Sequence, residues 1–164
     1  MKWLFAIVLL LGMYVAHATQ QTQPLKHGSF KEIVTAHAGK PFIVALWSVS
    51  CTHCSVDLEI FKQLAEKYAE FDLVLISTDS PEQEETIQLL LAKYRLGPTE
   101  IKRKGKVESW VFADSYTERL HFEIDSQWYG ELPRTYFYDA SGKSSAVSGV
   151  LDAVNTEKWV LSQK

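Results

Sequence analysis

Two apolar runs near the middle of the chain have the length of buried β-strands. One covers residues 42–47, and the other covers 72–78 with Leu73-Val74-Leu75-Ile76 at its centre. Uninterrupted runs of this kind are typical of parallel strands, because a sheet that is covered on both faces needs apolar residues on both. The pattern therefore predicts a buried sheet rather than one with a solvent-facing side.

Apolar residues with helical spacing follow each of these strands. They recur every three or four positions in 55–68, and the same spacing links Ile87, Leu90, Leu91 and Tyr94. Both segments are predicted to be helices that pack one face on the sheet. Capping and turn residues predict the shorter elements: a helix capped by Ser29 and ending near His37, a strand at 109–113, a helix at 115–125, strands at 134–139 and 144–150, and a helix from Asn155 or Thr156 to Ser162.

This order of elements predicts an α/β fold with a central mixed sheet and helices on both faces. The 164 residues suit one domain, and the 46% hydrophobic content is enough for a sizeable core. A formal net charge of −3 argues against a nucleic-acid partner, which would require a strongly basic face.

The first 18 residues have the pattern of a secretory signal peptide. Lys2 supplies the positive start, residues 3–11 are apolar, and Ala16-His17-Ala18 fits a cleavage site after Ala18. The apolar stretch is short for a membrane-spanning helix, which needs about 20 residues, so we expect no stable membrane insertion after cleavage. An uncleaved anchor is the alternative. Residues 19–28 are then a polar lead-in, and 29–164 form the domain.

The only two cysteines lie in the motif Cys51-Thr52-His53-Cys54, between the first predicted strand and the helix that follows it. A disulfide between these two cysteines would close a very short loop and constrain little of the unfolded chain, so it would add little to stability. A thiolate at a helix N-terminus is stabilised by the partial positive charge there. The motif therefore predicts a redox-active dithiol.

Each cysteine has a predicted role in disulfide exchange. Cys51 is the attacking sulfur on the exposed side, and Cys54, inside the first helical turn, resolves the mixed disulfide. A protonated His53 would stabilise the Cys51 thiolate, whereas the alternative is an exposed histidine with little coupling. Asp57, one turn after Cys54, could accept its proton, or could simply be an acid that stabilises the helix start.

Two separated motifs together resemble the thioredoxin superfamily. The first is Trp47-Ser48-Val49-Ser50 followed by the cysteine motif, and the second is the stretch 132–139 with Gly142-Lys143. Within that superfamily the chain is similar to the exported TlpA-like group, which includes the reductases of cytochrome c maturation. The resemblance covers about residues 25–164. It implies a thioredoxin fold with a helical insertion from about 78 to 125.

The resemblance also implies the composition of the site. Pro133 would be cis and face the cysteine turn, and Leu132 would offer its backbone N–H and carbonyl to a partner peptide. Arg134 follows that proline where threonine is common, so it is expected to affect partner specificity. Together with Trp47 and Thr52, Leu132 and Arg134 form the predicted partner-binding set.

Two departures from the thioredoxin pattern concern proton transfer. Ala45 stands where thioredoxins proper have a buried acid, which shifts the expected proton acceptor to Asp57. Asp57 itself occupies the place where TlpA-like relatives usually carry glutamate.

The expected function is that of a periplasmic protein thiol–disulfide oxidoreductase without a cofactor, with the reducing direction favoured. Its partners would be exported protein thiols or disulfides, such as apocytochrome c or a copper protein, with a membrane thiol reductant as electron donor. The alternatives are a thiol reductant for a copper protein, or a copper-binding chaperone that uses both cysteines and His121, since soft thiolates suit Cu(I).

Overall fold

A six-stranded mixed sheet forms the centre of the protein, in a computed structural model that describes residues 22–68, 70–97 and 105–163. The predicted signal peptide 1–18 and its cleavage site lie outside the described residues. Within those ranges, no helix is both long enough and apolar enough to cross a membrane.

The strands and helices alternate along most of the chain. The strands are β1 (Gln23–Leu25), β2 (Phe42–Trp47), β3 (Asp72–Ser77), β4 (Val107–Phe112), β5 (Arg134–Tyr138) and β6 (Ser144–Ser148). The helices are α1 (Ser29–Ala36), α2 (Cys54–Lys67), α3 (Glu84–Lys93), α4 (Thr117–Ile124) and α5 (Ala153–Ser162), and a short 3-10 helix, Pro81–Gln83, precedes α3.

The sheet has the order β1-β4-β3-β2-β5-β6, with a parallel half and an antiparallel half. β1 to β4 run parallel to one another, whereas β5 and β6 form an antiparallel hairpin against β2. All six residues of β2 are buried, because β2 lies in the interior of the sheet with helices on both of its faces. The central mixed sheet predicted from the sequence is confirmed.

Alternate residues of the strands divide the core into two layers. Ile43, Ala45 and Trp47 of β2 pack in the same layer as residues of α2, α3 and α5. Phe42, Val44 and Leu46 point to the other face, which is covered by α1 and α4. This alternation follows from the two-residue period of a strand. The side chains of Ile43, Ala45 and Trp47 therefore face α2, the helix that starts at Cys54.

Three details differ from the sequence expectations. Residues 23–25, which lie in the predicted polar lead-in, form the edge strand β1 beside β4. Ser29 is the first residue of α1 and does not cap it, because Gly28 occupies the capping position. The last helix starts earlier than predicted: Asp152 caps it by accepting the Asn155 backbone N–H at 2.8 Å.

Candidate active site

The two cysteines lie at the carboxyl end of β2, where α2 begins. They form a disulfide with an S–S distance of 2.05 Å. Cys51 is half-buried in the loop, whereas Cys54 is the first residue of α2 and only 1% exposed. A partner can therefore approach the Cys51 side of the bond and not the Cys54 side, which is the difference in exposure expected from the sequence.

The start of α2 provides the electrostatic environment of Cys51. The Cys54 backbone N–H donates to the Cys51 Sγ at 3.1 Å. The first N–H groups of a helix have no acceptor within the helix, and together they carry a partial positive charge. Both effects stabilise negative charge on the Cys51 sulfur once the disulfide is opened.

Thr52 and His53 form the exposed tip of the cysteine loop. The Thr52 carbonyl accepts the Ser55 hydroxyl at 2.7 Å, and the His53 carbonyl accepts the Val56 N–H at 3.1 Å. These bonds engage the backbone and leave both side chains on the surface. The roles predicted for them, partner contact by Thr52 and thiolate stabilisation by His53, stay predictions.

Asp57 is a buried carboxylic acid one helical turn after Cys54. Its side chain is 3% exposed, and Oδ1 accepts the Leu151 backbone N–H at 2.9 Å. Oδ2 is buried and has no hydrogen-bond partner among the described residues. Burial raises the pKa of Asp57 to about 6, against a smaller lowering effect of the Leu151 hydrogen bond. The carboxyl can therefore exchange a proton near neutral pH, as a proton acceptor for Cys54 must.

Trp47 lies beneath the cysteine loop and not on its surface. The side chain is 2% exposed and packs in the same core layer as Cys54. An indole with so little exposed surface cannot make the partner contact expected from the sequence. Trp47 instead supports the loop: its carbonyl accepts the Thr78 N–H at 2.9 Å and so joins the ends of β2 and β3.

Asp79 holds the segment that leads from β2 to Cys51, a role that the sequence analysis missed. Its Oδ1 accepts the Ser48 hydroxyl at 2.8 Å, and its Oδ2 accepts the Val49 N–H at 2.8 Å. The Ser77 hydroxyl also donates to Oδ2 at 2.5 Å. One signal was available, because Asp79 follows a strand predicted to be parallel to β2, and the carboxyl ends of parallel neighbours share one edge.

The Leu132–Pro133 peptide bond is cis, as the resemblance implied. Leu46 pairs with Arg134 in the β2–β5 ladder, so Pro133 lies at the end of β2 from which the cysteine loop departs. The Pro133 carbonyl accepts the Gly149 N–H at 2.9 Å. Leu132 is half-buried and packs against both core layers, including the layer that Cys51 contacts. The two sequence motifs therefore meet at one edge of the sheet.

The Arg134 guanidinium makes its contacts within the protein. It lies 2.7 Å from Asp125 Oδ2 and 3.5 Å from Glu131 Oε1, and its Nε donates to the Tyr136 hydroxyl at 3.2 Å. It also donates to the Ser148 hydroxyl, which in turn donates to Glu131 at 2.7 Å. The Arg134 side chain therefore links the proline loop to β5 and β6. This structural role differs from the partner contact expected from the sequence.

Replacing Arg134 by methionine should destabilise the protein by about 2 kcal/mol. The change keeps an unbranched apolar stem but leaves Asp125 and Glu131 without their cation, and hydrogen bonds to charged groups contribute about 1.5–3 kcal/mol. Urea unfolding at pH 7 measures the effect. Lys62→Met is the matched control, because the Lys62–Glu59 pair lies on the surface of one helix and such pairs contribute about 0.5 kcal/mol or less. Equal losses in the two variants would contradict the proposed anchoring by Arg134.

His121, the third ligand of the copper alternative, lies in an aromatic stack. Its ring centroid is 4.5 Å from that of Trp128 and 5.5 Å from that of Phe112. Burial lowers the pKa of His121. In the parts of the chain that the structure describes, no three His, Cys, Asp or Glu side chains form a group that could hold a metal ion. No observation in these ranges therefore favours a copper site.

Solved structures with a similar fold include several thiol–disulfide oxidoreductases. One is a secreted Mycobacterium tuberculosis disulfide oxidoreductase homologous to E. coli DsbE, with a TM-score of 0.56 and 18% identity over 78% of this chain and 85% of that chain. Another is a thioredoxin family thiol:disulfide interchange protein from Chlorobium tepidum, with a TM-score of 0.56 and 20% identity over 79% and 83%. StoA from Bacillus subtilis has a TM-score of 0.51 and 14% identity over 75% and 84%.

These likenesses establish that the chain has the thioredoxin fold, as the resemblance implied. No protein-family model and no curated protein matches the sequence.

Proposed function

We propose that the protein is a thiol–disulfide oxidoreductase that exchanges disulfides with cysteines of other proteins. One observation carries this proposal: the disulfide at the start of a helix joins a half-buried residue, Cys51, to a buried one, Cys54. Exchange through a mixed disulfide needs this asymmetry, because the partner must reach one sulfur while the other waits within the protein.

In the reducing direction, the reaction starts from the dithiol form. The Cys51 thiolate attacks one sulfur of a partner disulfide, so that a new S–S bond forms and the partner's other sulfur leaves as a thiolate. The helix start and the Cys54 N–H, which lies 3.1 Å from the Cys51 sulfur in the disulfide form, favour the thiolate that attacks. The cis-proline loop lies at the same edge of the sheet, which supports its proposed contact with the partner segment.

In the second step, Cys54 gives its proton to Asp57 and attacks the Cys51 sulfur. The bond between Cys51 and the partner breaks, the partner leaves as a second thiolate, and the Cys51–Cys54 disulfide forms. Two electrons have then passed to the partner, and an external thiol reductant must restore the dithiol. Asp57 suits the proton transfer, because its pKa of about 6 lies close to neutral pH and no partner among the described residues engages Oδ2.

The direction, compartment and partners form the finer part of the proposal. The sequence pattern of 1–18 supports export to the periplasm, and the likeness to exported TlpA-like reductases supports net reduction of selected exported proteins. Apocytochrome c and copper-protein thiols are the partner classes proposed, with a membrane thiol reductant as electron donor. The solved secreted disulfide oxidoreductase of similar fold is consistent with the proposed export.

Changing Cys54 to serine should trap partner proteins on Cys51. The variant can still attack, but it lacks the sulfur that releases the partner, so the mixed disulfide accumulates. Non-reducing electrophoresis of the exported fraction, followed by mass spectrometry of the reducible adducts, identifies the partners. The matched control is the double variant Cys51→Ser/Cys54→Ser, which should form no adduct. An unchanged adduct pattern in that control would reject the proposed exchange by Cys51.

A further inference from the structure

The turn formed by residues 48–51 connects β2 to the cysteine motif and is held by a side chain from outside it. Asp79, two residues after β3, accepts the Ser48 hydroxyl and the Val49 N–H, both at 2.8 Å. Its Oδ2 also accepts the Ser77 hydroxyl at 2.5 Å, and the Ser77 oxygen accepts the Asp79 N–H at 3.1 Å. Ser77 is fully buried, so a group in the core fixes the carboxylate at the end of β3.

Each of the three backbone N–H groups that follow Ser48 has an acceptor. The Val49 N–H binds Asp79 directly. The Ser50 N–H binds the Ser48 hydroxyl oxygen at 3.2 Å, and the same hydroxyl donates to Asp79. The Cys51 N–H closes the turn on the Ser48 carbonyl at 3.1 Å. Loss of the carboxylate would therefore release Val49 directly and Ser50 through Ser48.

The two cysteines are anchored by different parts of the fold. Cys54 is the first residue of α2 and lies in the core layer that also contains Trp47. Cys51 lies in the loop before the helix, where its N–H binds Ser48 and its carbonyl accepts the Cys54 N–H at 3.2 Å. When the disulfide opens, these hydrogen bonds replace the covalent link as the constraint on Cys51. The distance between the two thiols in the dithiol form therefore depends on the order of the turn.

We propose that Asp79 positions Cys51 for closure of the disulfide and so makes the dithiol a stronger reductant. The inference rests on the proposed function and adds Asp79 as a positioning residue. A turn that is already ordered in the dithiol form loses little conformational entropy when the disulfide closes. A dithiol that closes more readily also gives up its electrons more readily, which is the reducing direction proposed above.

Equilibration with glutathione measures how readily the disulfide closes. The two protein thiols and one glutathione disulfide become the protein disulfide and two glutathione thiols, so two electrons pass to glutathione and no other reactant is needed. In Asp79→Asn the equilibrium constant for closure at pH 7 should fall about tenfold, about the effect of freeing the backbone of one residue. Asparagine keeps the size but offers one acceptor oxygen to three donors. The fall corresponds to a rise of about 30 mV in the reduction potential of this two-electron couple.

A change of charge alone would shift the constant in the same direction, because loss of a nearby carboxylate favours the Cys51 thiolate and with it the dithiol form. Glu82→Gln is the matched control. Glu82 is exposed and lines the same cleft of about 370 Å³ as Asp79. Its replacement should keep the constant within about twofold of the wild-type value, since exposed charges are screened by salt. A fall as large as that in Asp79→Asn would overturn the inference.

Ser48→Ala tests the same network without a change of charge, and it remains available if Asp79→Asn does not fold. It removes the hydroxyl that joins Ser50 to Asp79, so the constant should fall about threefold, as expected for one hydrogen bond. In the double variant the fall should be no larger than in Asp79→Asn alone, since both changes break one network. An unchanged constant in either single variant, or multiplicative effects of the two changes, would contradict the proposed positioning.

Amide hydrogen exchange of the wild-type protein needs no variant. The Val49 N–H should be protected in the dithiol form as it is in the disulfide form, because the turn stays ordered when the disulfide opens. Rapid exchange of this N–H in the dithiol form alone would show that Asp79 does not hold the turn in the reacting state.

The release step, in which Cys54 displaces glutathione from a mixed disulfide on Cys51, gives a kinetic measure of the same effect. It should slow about tenfold in Asp79→Asn, because displacement requires the two sulfurs to meet. An unaltered release rate would count against the inference while leaving the proposed function intact. Failure of the proposed function looks different, since Cys51 of the wild-type protein would then form no mixed disulfide with glutathione at all.

Discussion

Serine in place of Cys51 should lower the rate of disulfide reduction by at least about a thousandfold. The first step needs a thiolate that the partner can reach, and Cys54, which is 1% exposed, cannot substitute for Cys51. A serine hydroxyl remains protonated at neutral pH and forms no disulfide. Turnover of insulin disulfides with a thiol reductant, compared with the reductant alone, measures the loss.

The comparison with Cys54→Ser makes this prediction specific. That variant should also lose turnover, but it should still react once, because its attacking sulfur is intact. A mass increase equal to one glutathione on Cys54→Ser, and none on Cys51→Ser, would establish the order of the two cysteines. Substantial turnover by Cys51→Ser would refute the assignment of Cys51 as the nucleophile.

Replacing Asp57 by asparagine should stabilise the disulfide form above neutral pH and slow the reaction at the same pH. The folded protein holds the Asp57 pKa at about 6, above its ordinary value of 3.8. Such a group contributes stability that is fully present below pH 4 and is lost as the pH rises through 6. A pKa shift of about two units corresponds to about 3 kcal/mol of folding free energy. The cost of burying the asparagine amide offsets part of this gain. The expected gain at pH 8 is about 2 kcal/mol.

The kinetic effect of Asp57→Asn has the opposite sign. Asparagine cannot accept the Cys54 proton, and loss of a positioned proton acceptor typically costs a hundredfold or more. We expect the release step to slow about a hundredfold at pH 7.5. In the wild-type protein the rate of this step should rise with pH around 6, as the Asp57 carboxyl ionises. The pH profile of the Asp57→Asn variant should lack this rise.

Glu59→Gln provides the control for both measurements. Glu59 lies two residues further along the same helix, but on its outer side, where its carboxylate pairs with Lys62 at 3.2 Å. Its replacement should change stability by no more than about 0.5 kcal/mol and leave the release rate unaltered. Unfolding in urea at pH 4 and pH 8 gives the stability difference. If the stability of Asp57→Asn changes between pH 4 and pH 8 as much as that of the wild-type protein, a group other than Asp57 causes the pH dependence.

Much of the fold could be predicted because its signals are local. The continuous apolar runs of β2 and β3 predicted parallel strands, and helical spacing after each run predicted α2 and α3. The strand β1 was missed because three residues carry too little periodicity, and it exists only through its pairing with β4. The cap of α5 was also misplaced, since several polar residues near Asp152 qualify equally well by sequence.

The candidate site also combines features that local sequence predicts with features that depend on the tertiary fold. The cysteine motif followed by a helix was sufficient to predict that Cys51 is more exposed than Cys54, because exposure at a helix start depends on a few adjacent residues. The ion pairs of Arg134 were not predictable, because the conformation of the proline loop brings Asp125 and Glu131 to its side chain. Asp79 was not predicted as a site residue, because its contacts with Ser48 and Val49 join segments that lie 31 and 30 residues apart in the chain.

The sequence by itself determined the reactive pair and the alternation of strands and helices, because both depend on spacings between neighbouring residues. The proline that accompanies the pair was implied by the resemblance to the thioredoxin superfamily, and no local spacing specifies it. Only the tertiary structure decided that Asp57 is buried and that Leu151 binds it from 94 positions away. Burial and the proton affinity it produces depend on which distant elements cover a side chain, and no local pattern specifies that.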